Sequence, residues 1–344
     1  MTLPDFLYPR DFTEFLLVLV LAHLGDTVYP FHKGVALTLH PVHTSYVMAV
    51  KLGRRYSSKL RGVLTWLAVV LLHLATYGLA LYLASRVHRL AWIAVSAYML
   101  KTSASLKLLL NIVKRCADCL ASGDLNCARF WAQQIVRRDV SGLDEEHVAS
   151  AAVESLAESL VDGYTSPLLY YALLGPLGAL LQRLTNTLDG ALGFKYGGYE
   201  DVGWFSAKAD TVLNYIPARL TALAMVLLAP LVGGAIHQAY RTWTRFSGST
   251  ESVNAGHPMS AMAGVLRVRL EKIGHYSLGE PLRRLDHRAV RDGVRVALLC
   301  SATWLLLVSA LGYLLGVLPT YSVRFLWAPQ LGIGLRAGRL RNLY

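Results

Sequence analysis

Charge is scarce in this sequence. Of its 344 residues, 16% are Asp, Glu, Lys or Arg and 54% are hydrophobic, where an ordinary soluble domain carries roughly 25% charged residues. The deficit points to lipid as the main solvent. Acidic residues are the scarcer sign, 22 against 34 Lys and Arg. That excess is what membrane proteins place in their cytoplasmic loops, so it calls for no nucleic-acid partner. Cysteine is also rare. Three of the four, Cys116, Cys119 and Cys127, share one helical-looking stretch with no fourth ligand nearby, so helix packing accounts for them better than a metal or redox role. The patterns G-x-x-x-x-G-K-[ST], G-x-G-x-x-G after a strand, H-E-x-x-H and G-x-S-x-G are missing, which sets aside the common nucleotide-binding and hydrolase scaffolds. There is no internal repeat. The start, with Asp5 and Asp11 before its apolar run and no small-residue cleavage site, does not read as a removed signal peptide.

Long apolar runs are plentiful. Val296 to Leu318 has no charge over more than the ~20 residues that cross a hydrocarbon core, and Val63 to Ala84 contains only His73. Ile216 to Ile236 also reads as a span, with Pro217, Arg219 and Pro230 needing a helix end or a protein-lined cavity. Leu168 to Leu181 and Phe15 to Leu24 are shorter: re-entrant, buried, or parts of longer tilted spans. Four to six membrane segments are expected. Basic residues precede two spans (Lys51, Arg54, Arg55, Lys59, Arg61; then Arg283, Arg284, Arg288, Arg291, Arg295), but Arg324, Arg336, Arg339 and Arg341 follow the last, so charge alone leaves its orientation open. Leu90 to Val113, interrupted by Lys101 and Lys107, suits an amphipathic or partly buried helix. Asp124 and Asp144 read as helix caps, and Asp162-Gly163 as a helix stop. The expected fold is all-α: a polytopic integral membrane helical bundle forming a single domain over residues 1–344. Amphipathic helices and polar functional loops, about 123–167, 185–216 and 241–295, would lie at the membrane face.

The polar residues fall into patterns. Glu154, Glu158 and Asp162 stand at i, i+4 and i+8, so a helix stacks three carboxylates on one stripe, and their repulsion calls for cations opposite. The stripe is either a solvated face or a site for Mg²⁺ or paired arginines. Asn186 with Asp189, and Asp210 with Asn214, bracket the glycine-rich stretch 185–216; their oxygens suit a hard cation, or else they cap and turn. Arg219 could fork onto a phosphate or snorkel to the membrane surface. Asn254 to Pro258 makes a polar turn into a helix, an anion site or an ordinary helix start. His40 and Gly25-Asp26 lie near the first segment, where a histidine is more often packed than reactive.

Taken together, GDLNCARFWAQQIVRRDVSGLD, AAVESLAESLVDGYTSPLLYYALLGPLGALLQRLTNTLDGALGFK, FSAKADTVLNYIPARLTALA and VNAGHPMSAMAGVLRVRLEKIGHYSLG resemble, in order and spacing, the adenosylcobinamide-phosphate synthase family (CobD/CbiB) of cobalamin biosynthesis. The likeness is strong from Gly123 to Gly279 and extends weakly to Gly25-Asp26 and His40-Pro41. The chain departs from the family pattern at Ser159 (usually Asn), Arg137 (Gly), Thr211 (Asp), and Thr27 and Val253 (Pro). The resemblance implies a ligase: the free propionate carboxylate of adenosylcobyric acid, a corrinoid, is joined to (R)-1-amino-2-propanol or its O-phosphate with consumption of ATP. On that reading Mg²⁺ is expected on Asp189 and Asp210 with Glu158 in reach. Phosphate and substrate contacts are expected from Arg219, Asn254, Asn186, Asn214, Glu154 and His40, and a base from Asp162 or His257. The expected location is the cell membrane, multi-pass, with a cytoplasmic site; an oligomer is allowed. The rival reading is a polytopic transporter of a small anionic or metal-linked solute, although the polar clusters avoid the best spans.

Overall fold

The structure, a computed structural model, describes residues 4–327, with side chains as far as Leu315. Arg336, Arg339 and Arg341, and the side chain of Arg324, lie outside that range. Helices α1 (Phe12–Val28), α2 (Val35–Thr38) and α3 (Pro41–Leu52) lead into α4 (Lys59–Val87), α5 (Arg89–Ser103), α6 (Lys107–Ala121) and α7 (Leu125–Gln133). After α8 (Glu145–Leu160) come α9 (Ser166–Leu192), α10 (Trp204–Leu227), α11 (Ile236–Phe246), α12 (Gly256–Leu266) and α13 (His287–Trp327). One short antiparallel hairpin, β1 (Leu270–Lys272) and β2 (Tyr276–Leu278), pairs Leu270 with Leu278 between α12 and α13.

Three stretches among the described residues are long and apolar enough to cross a membrane: Lys59–Val87, Arg89–Ala121 and His287–Leu315. On α4 one stripe, including Thr65, Val69, Val70, His73 and Leu81, is buried, while Leu60, Leu64, Leu71, Leu72, Leu79 and Leu83 face outward. An apolar surface of that extent is unfavourable in water and costs nothing against lipid tails. The stretch expected as one partly buried helix from Leu90 to Val113 is two helices, α5 and α6. Their junction is held from outside: the Asp26 carboxylate of α1 accepts from Ser105 Oγ (2.8 Å) and from the backbone N–H groups of Leu106 (3.0 Å) and Lys107 (2.8 Å), capping α6. Cys119 and Cys127 form a disulfide joining α6 to α7, and Cys116 is buried and free, so packing alone describes only Cys116.

Asp124 and Asp144 cap α7 and α8 as expected, accepting from the N–H groups of Cys127 and His147. Asp162-Gly163, however, does not stop α8. The chain passes through a π-helical turn, Val161–Thr165, directly into α9, and the N–H of Ser105 donates to the Gly163 carbonyl (2.9 Å). Such bulges are frequent at functional sites.

The stretch 185–216 is mostly helix, not loop. Thr185, Thr187 and Thr211 each donate a hydroxyl to the carbonyl four residues back, so residues that would favour turns are absorbed into the helical ladder. Only residues 193–203, where the glycines concentrate, lie between α9 and α10. Likewise 123–167 and 241–295 are largely α7, α8, α11, α12, the hairpin and the start of α13. The segment Ile216 to Ile236 is the second half of α10 followed by a 3₁₀ turn, Ala229–Val232, and Pro217 sits inside the helix.

Pro176 and Pro217 break the ladders of α9 and α10, and each of these breaks is repaired by a tyrosine. Pro176 in α9 has no N–H for the carbonyl of Ala172, and Gly175 before it takes φ +70°, which glycine tolerates. Tyr8 Oη donates to that carbonyl (2.6 Å). Pro217 in α10 leaves the carbonyl of Leu213 in the same condition, and Tyr170 Oη donates to it (3.0 Å).

The bundle has two distinguishable ends. At one, Lys59 at the start of α4 stands beside Asp201 (3.8 Å), Gly62 has room for no side chain against Val202, and Gly293 of α13 faces Val153 and Leu156 of α8. At the other, Phe12 packs on Tyr313 and Phe6 on Tyr82.

Candidate active site

A cavity of about 670 Å³ opens at the first of these ends, walled by α6, α8, the π turn, α9 and the hairpin. Glu154, Glu158, Asp162, Asn186 and Asp189 all face it. A smaller cavity of about 140 Å³ shares Glu158, Asp162 and Asp189 and adds Asp210 and Asn254. The helix bearing the carboxylate stripe and the expected Asp/Asn pairs therefore meet. Asn214 is the hinge: its Nδ2 donates to Asp162 Oδ1 (3.1 Å) and to Asp210 Oδ1 (2.9 Å), and its Oδ1 accepts from Gln182 (3.0 Å). Asn186 Nδ2 also donates to Asp210 Oδ1 (3.2 Å). Both asparagines thus fix carboxylates, with Asn214 fully buried.

The cations that the stripe calls for are present. Arg183, Arg137, Arg138 and Lys272 line the larger cavity; none is expected there from the sequence, in which Arg137 stands out only as a departure from the family pattern. Arg183 lies one turn before Asn186 on α9 and donates to its Oδ1 (3.3 Å), and that i, i+3 spacing was a readable signal. Its Nε is buried with no hydrogen-bond partner among the described residues, a donor left for a ligand. Arg137, where the family pattern has Gly, lies against the ring of Phe194 (5.3 Å) and reaches over Gly190. No local pattern could have placed it there.

Glu154 has the most complete set of partners. Arg138 approaches both of its oxygens (3.3 Å each), Ser150 Oγ donates at 2.7 Å and Tyr276 Oη at 2.6 Å. It ties α8 to the segment before it and to the hairpin, which leaves little capacity for substrate.

The remaining carboxylates lie outside the three spanning helices, and all are pushed toward the protonated form. Burial raises Glu158, with Arg137 opposing and Glu154 and Asp210 adding to the rise. Burial and the neighbouring Asp210, Glu158 and Asp189 raise Asp162 well above the usual range. Asp189 is raised to about 7, first by burial and then by Asp210, and Asp210 is raised by burial against the bonds from Asn186 and Asn214. Glu158 reaches solvent through the cavity, yet protein surrounds that solvent, so hydration is incomplete.

Among the described residues no three His, Cys, Asp or Glu side chains are gathered closely enough to hold a metal ion alone. Mg²⁺ characteristically takes one or two carboxylates and completes its shell with water and substrate phosphate. Oxygen-only donors that repel one another fit that ion, and Asp189 and Asp210 with Glu158 in reach are the residues that would hold it.

Of the other expected residues, only Asn254 reaches a cavity wall. Asn254 joins the smaller cavity, donating to the carbonyl of Thr211 (2.8 Å) and accepting from Arg219 (3.2 Å). Arg219 itself stacks on Tyr215 (3.4 Å) and lines neither cavity. His257 faces Trp243, whose indole N–H donates to its Nδ1 (3.0 Å); burial and Arg219 lower its pKa to about 4, and it too lies outside both walls. His40 caps α3, accepting from the N–H of Val42 (3.3 Å), packs against His32, and is lowered to about 3 by burial, then by His32 and Lys101. It stands two residues from the cavity-lining Val42. Asp26 caps α6, as described above.

No solved structure matches the chain. Among curated proteins, it is 48% identical over 295 residues to a probable cobalamin biosynthesis protein CobD of Aeropyrum pernix, covering 85% of this chain and 91% of that one. It is 35% identical over 263 residues to the corresponding protein of Methanothermobacter thermautotrophicus (76% and 86% covered). It is 34% identical over 304 residues to the cobalamin biosynthesis protein CobD of Dehalococcoides mccartyi (86% and 96%). The family model described as CobD/Cbib protein matches residues 19–323. With the family match covering nearly the whole helical bundle and the cavity at its end, this chain belongs to the CobD/CbiB family of cobalamin biosynthesis proteins.

Proposed function

We propose that this enzyme is an ATP-dependent amide ligase, joining the free propionate carboxylate of adenosylcobyric acid to (R)-1-amino-2-propanol or its O-phosphate. The observation that carries the reading is the meeting of Glu158, Asp162, Asp189 and Asp210 with Arg137 and Arg183 around a cavity of about 670 Å³ and its smaller neighbour. A carboxylate, which has no good leaving group, is a poor acyl donor. Its oxygen would attack the γ-phosphorus of ATP, releasing ADP and leaving an acyl phosphate; the amine nitrogen would then attack the acyl carbon, expel phosphate and lose a proton. Arg183 and Arg137 offset charge on the phosphate as it transfers. Asp162, oriented by Asn214 and raised by burial and then by its acidic neighbours, is in its ionised form a strong enough base to take the proton. Bound magnesium would add positive charge at the transferring phosphate.

Orientation supports the same reading. Lys59 and Arg61, and Arg291 and Arg295, lie in the first turns of the spans Lys59–Val87 and His287–Leu315, at the cavity end. Lys and Arg flanks favour the cytoplasm, where ATP is available, which supports reading this chain as a multi-pass cell-membrane protein with a cytoplasmic site, although the basic residues after the last span pull the other way.

Mass spectrometry of the product formed by detergent-purified protein from adenosylcobyric acid, ATP, Mg²⁺ and each amine tests the proposal. Amide formation that stops without ATP is expected, and Asp189→Ala and Asp210→Ala should abolish it while the protein stays folded in the membrane. Full turnover in both variants removes these residues from the site. Corrinoid movement across sealed vesicles without covalent change favours the transporter reading.

A further inference from the structure

A second cavity, of about 360 Å³, lies between the ends of α6 and α13, away from the carboxylates, and its walls are Lys114, Asp118, Arg291, Val294, Arg295 and Leu298. Its charge is unbalanced. Asp118 is matched by Arg291 (2.9 Å), and Asp292 behind the wall is shared by Arg283 (2.8 Å) and Arg295 (3.3 Å). Lys114 has no ion-pair partner among the described residues, so the four cations exceed the two carboxylates. The cavity also has an apolar side. Val294 forms its inner wall, and Leu298, one turn further along α13, is 43% exposed at the beginning of the lipid-facing surface.

We propose that this cavity binds the headgroup of an anionic phospholipid in the leaflet nearer the catalytic cavity. The phosphate lies between Lys114, Arg291 and Arg295, and an acyl chain descends over Leu298. Charge selects an anion, and the continuity of the cavity with the apolar belt selects one that carries hydrocarbon. Basic cavities between membrane helices recognise acidic lipid headgroups in this way, with about 1 kcal/mol from each Lys or Arg near the surface. The site does not depend on the ligase reaction. It does bear on the fold around it, because Gly293, beside Arg291 and Arg295, packs on Val153 and Leu156 of the carboxylate-bearing helix.

Native mass spectrometry of the full-length protein released from nanodiscs of mixed phosphatidylglycerol and phosphatidylcholine tests the proposal. Wild-type protein should retain phosphatidylglycerol selectively, and Lys114→Gln/Arg295→Gln should retain it roughly tenfold to thirtyfold less. Lys114→Gln alone breaks no ion pair seen here and should give an intermediate loss, which keeps the test decisive if the double variant folds poorly. Glycerol 3-phosphate, a phosphate of at least equal negative charge but without hydrocarbon, should not displace the lipid at equal concentration. Equal retention of the two lipids, unchanged retention in both variants, or displacement by glycerol 3-phosphate each overturns the proposal.

Discussion

Tyr170 Oη donates to the carbonyl of Leu213 at 3.0 Å, the acceptor that Pro217 leaves without a helical partner. The bond fixes α10 to α9 beside Asp210 and Asn214, so the repair of a helix defect also sets the distance between two walls of the site. Tyr170→Phe should destabilise the protein by about 1–2 kcal/mol and lower ligase activity more than that loss explains. A thermal melt in detergent alongside a turnover assay would check this, and an unchanged melt would mean that another donor serves Leu213.

Glu154 accepts from Ser150 and Tyr276 and pairs with Arg138. Glu154→Ala leaves Arg138 without its partner and should cost about 3 kcal/mol, near the low end for a buried pair because Arg138 reaches solvent. Glu154→Gln keeps an acceptor for both hydroxyls and should cost less. Denaturant or thermal unfolding of the two variants would separate them, and equal losses would deny the ion pair its role.

The raised carboxylates make stability depend on pH in a definite direction. Asp189 moves from an ordinary value near 4 to about 7, so the folded state holds its proton more tightly than the unfolded chain does. The resulting stabilisation is full below about pH 4 and is lost as pH rises through about 7; Glu158, Asp162 and Asp210 act in the same sense. Without divalent cations the melting temperature should fall between pH 5 and pH 8. Millimolar Mg²⁺ should reduce the fall, and Asp189→Asn should flatten it. A pH-independent melt would contradict the crowding of these groups.

Arg183 is the cation whose geometry is hardest to replace. Arg183→Gln should reduce kcat/KM by roughly 10²-fold or more, in the range seen when a transition-state donor is removed. Arg183→Lys should recover only part of that loss, because an ammonium cannot reproduce the guanidinium fork. Steady-state kinetics against ATP would measure both, and full activity in Arg183→Lys would reduce its role to charge alone.

The amino-acid order determined the helical class, the two clearest spans, the caps at Asp124 and Asp144, and the carboxylate stripe, because each depends on neighbours within a turn or on apolar length alone. The resemblance likewise grouped Asp162, Asp189, Asp210, Asn186, Asn214 and Asn254 with Glu154 and Glu158, but it also included Arg219, His257 and His40, which line neither cavity. Helix boundaries in 185–216 were less legible: threonine and asparagine favour turns in isolation, and only the finished helix offers carbonyls four residues back for their side chains. Tertiary structure alone decided that Asp26 would cap α6, that Tyr8 and Tyr170 would mend the proline breaks, and that Glu154 would be held by Arg138 and Tyr276. It also brought Arg137 and Arg183 to face the acidic helix and left His257 with Trp243. These relationships join residues from 14 to 164 positions apart, where spacing along the chain carries no distance information and packing decides which charges share a cavity.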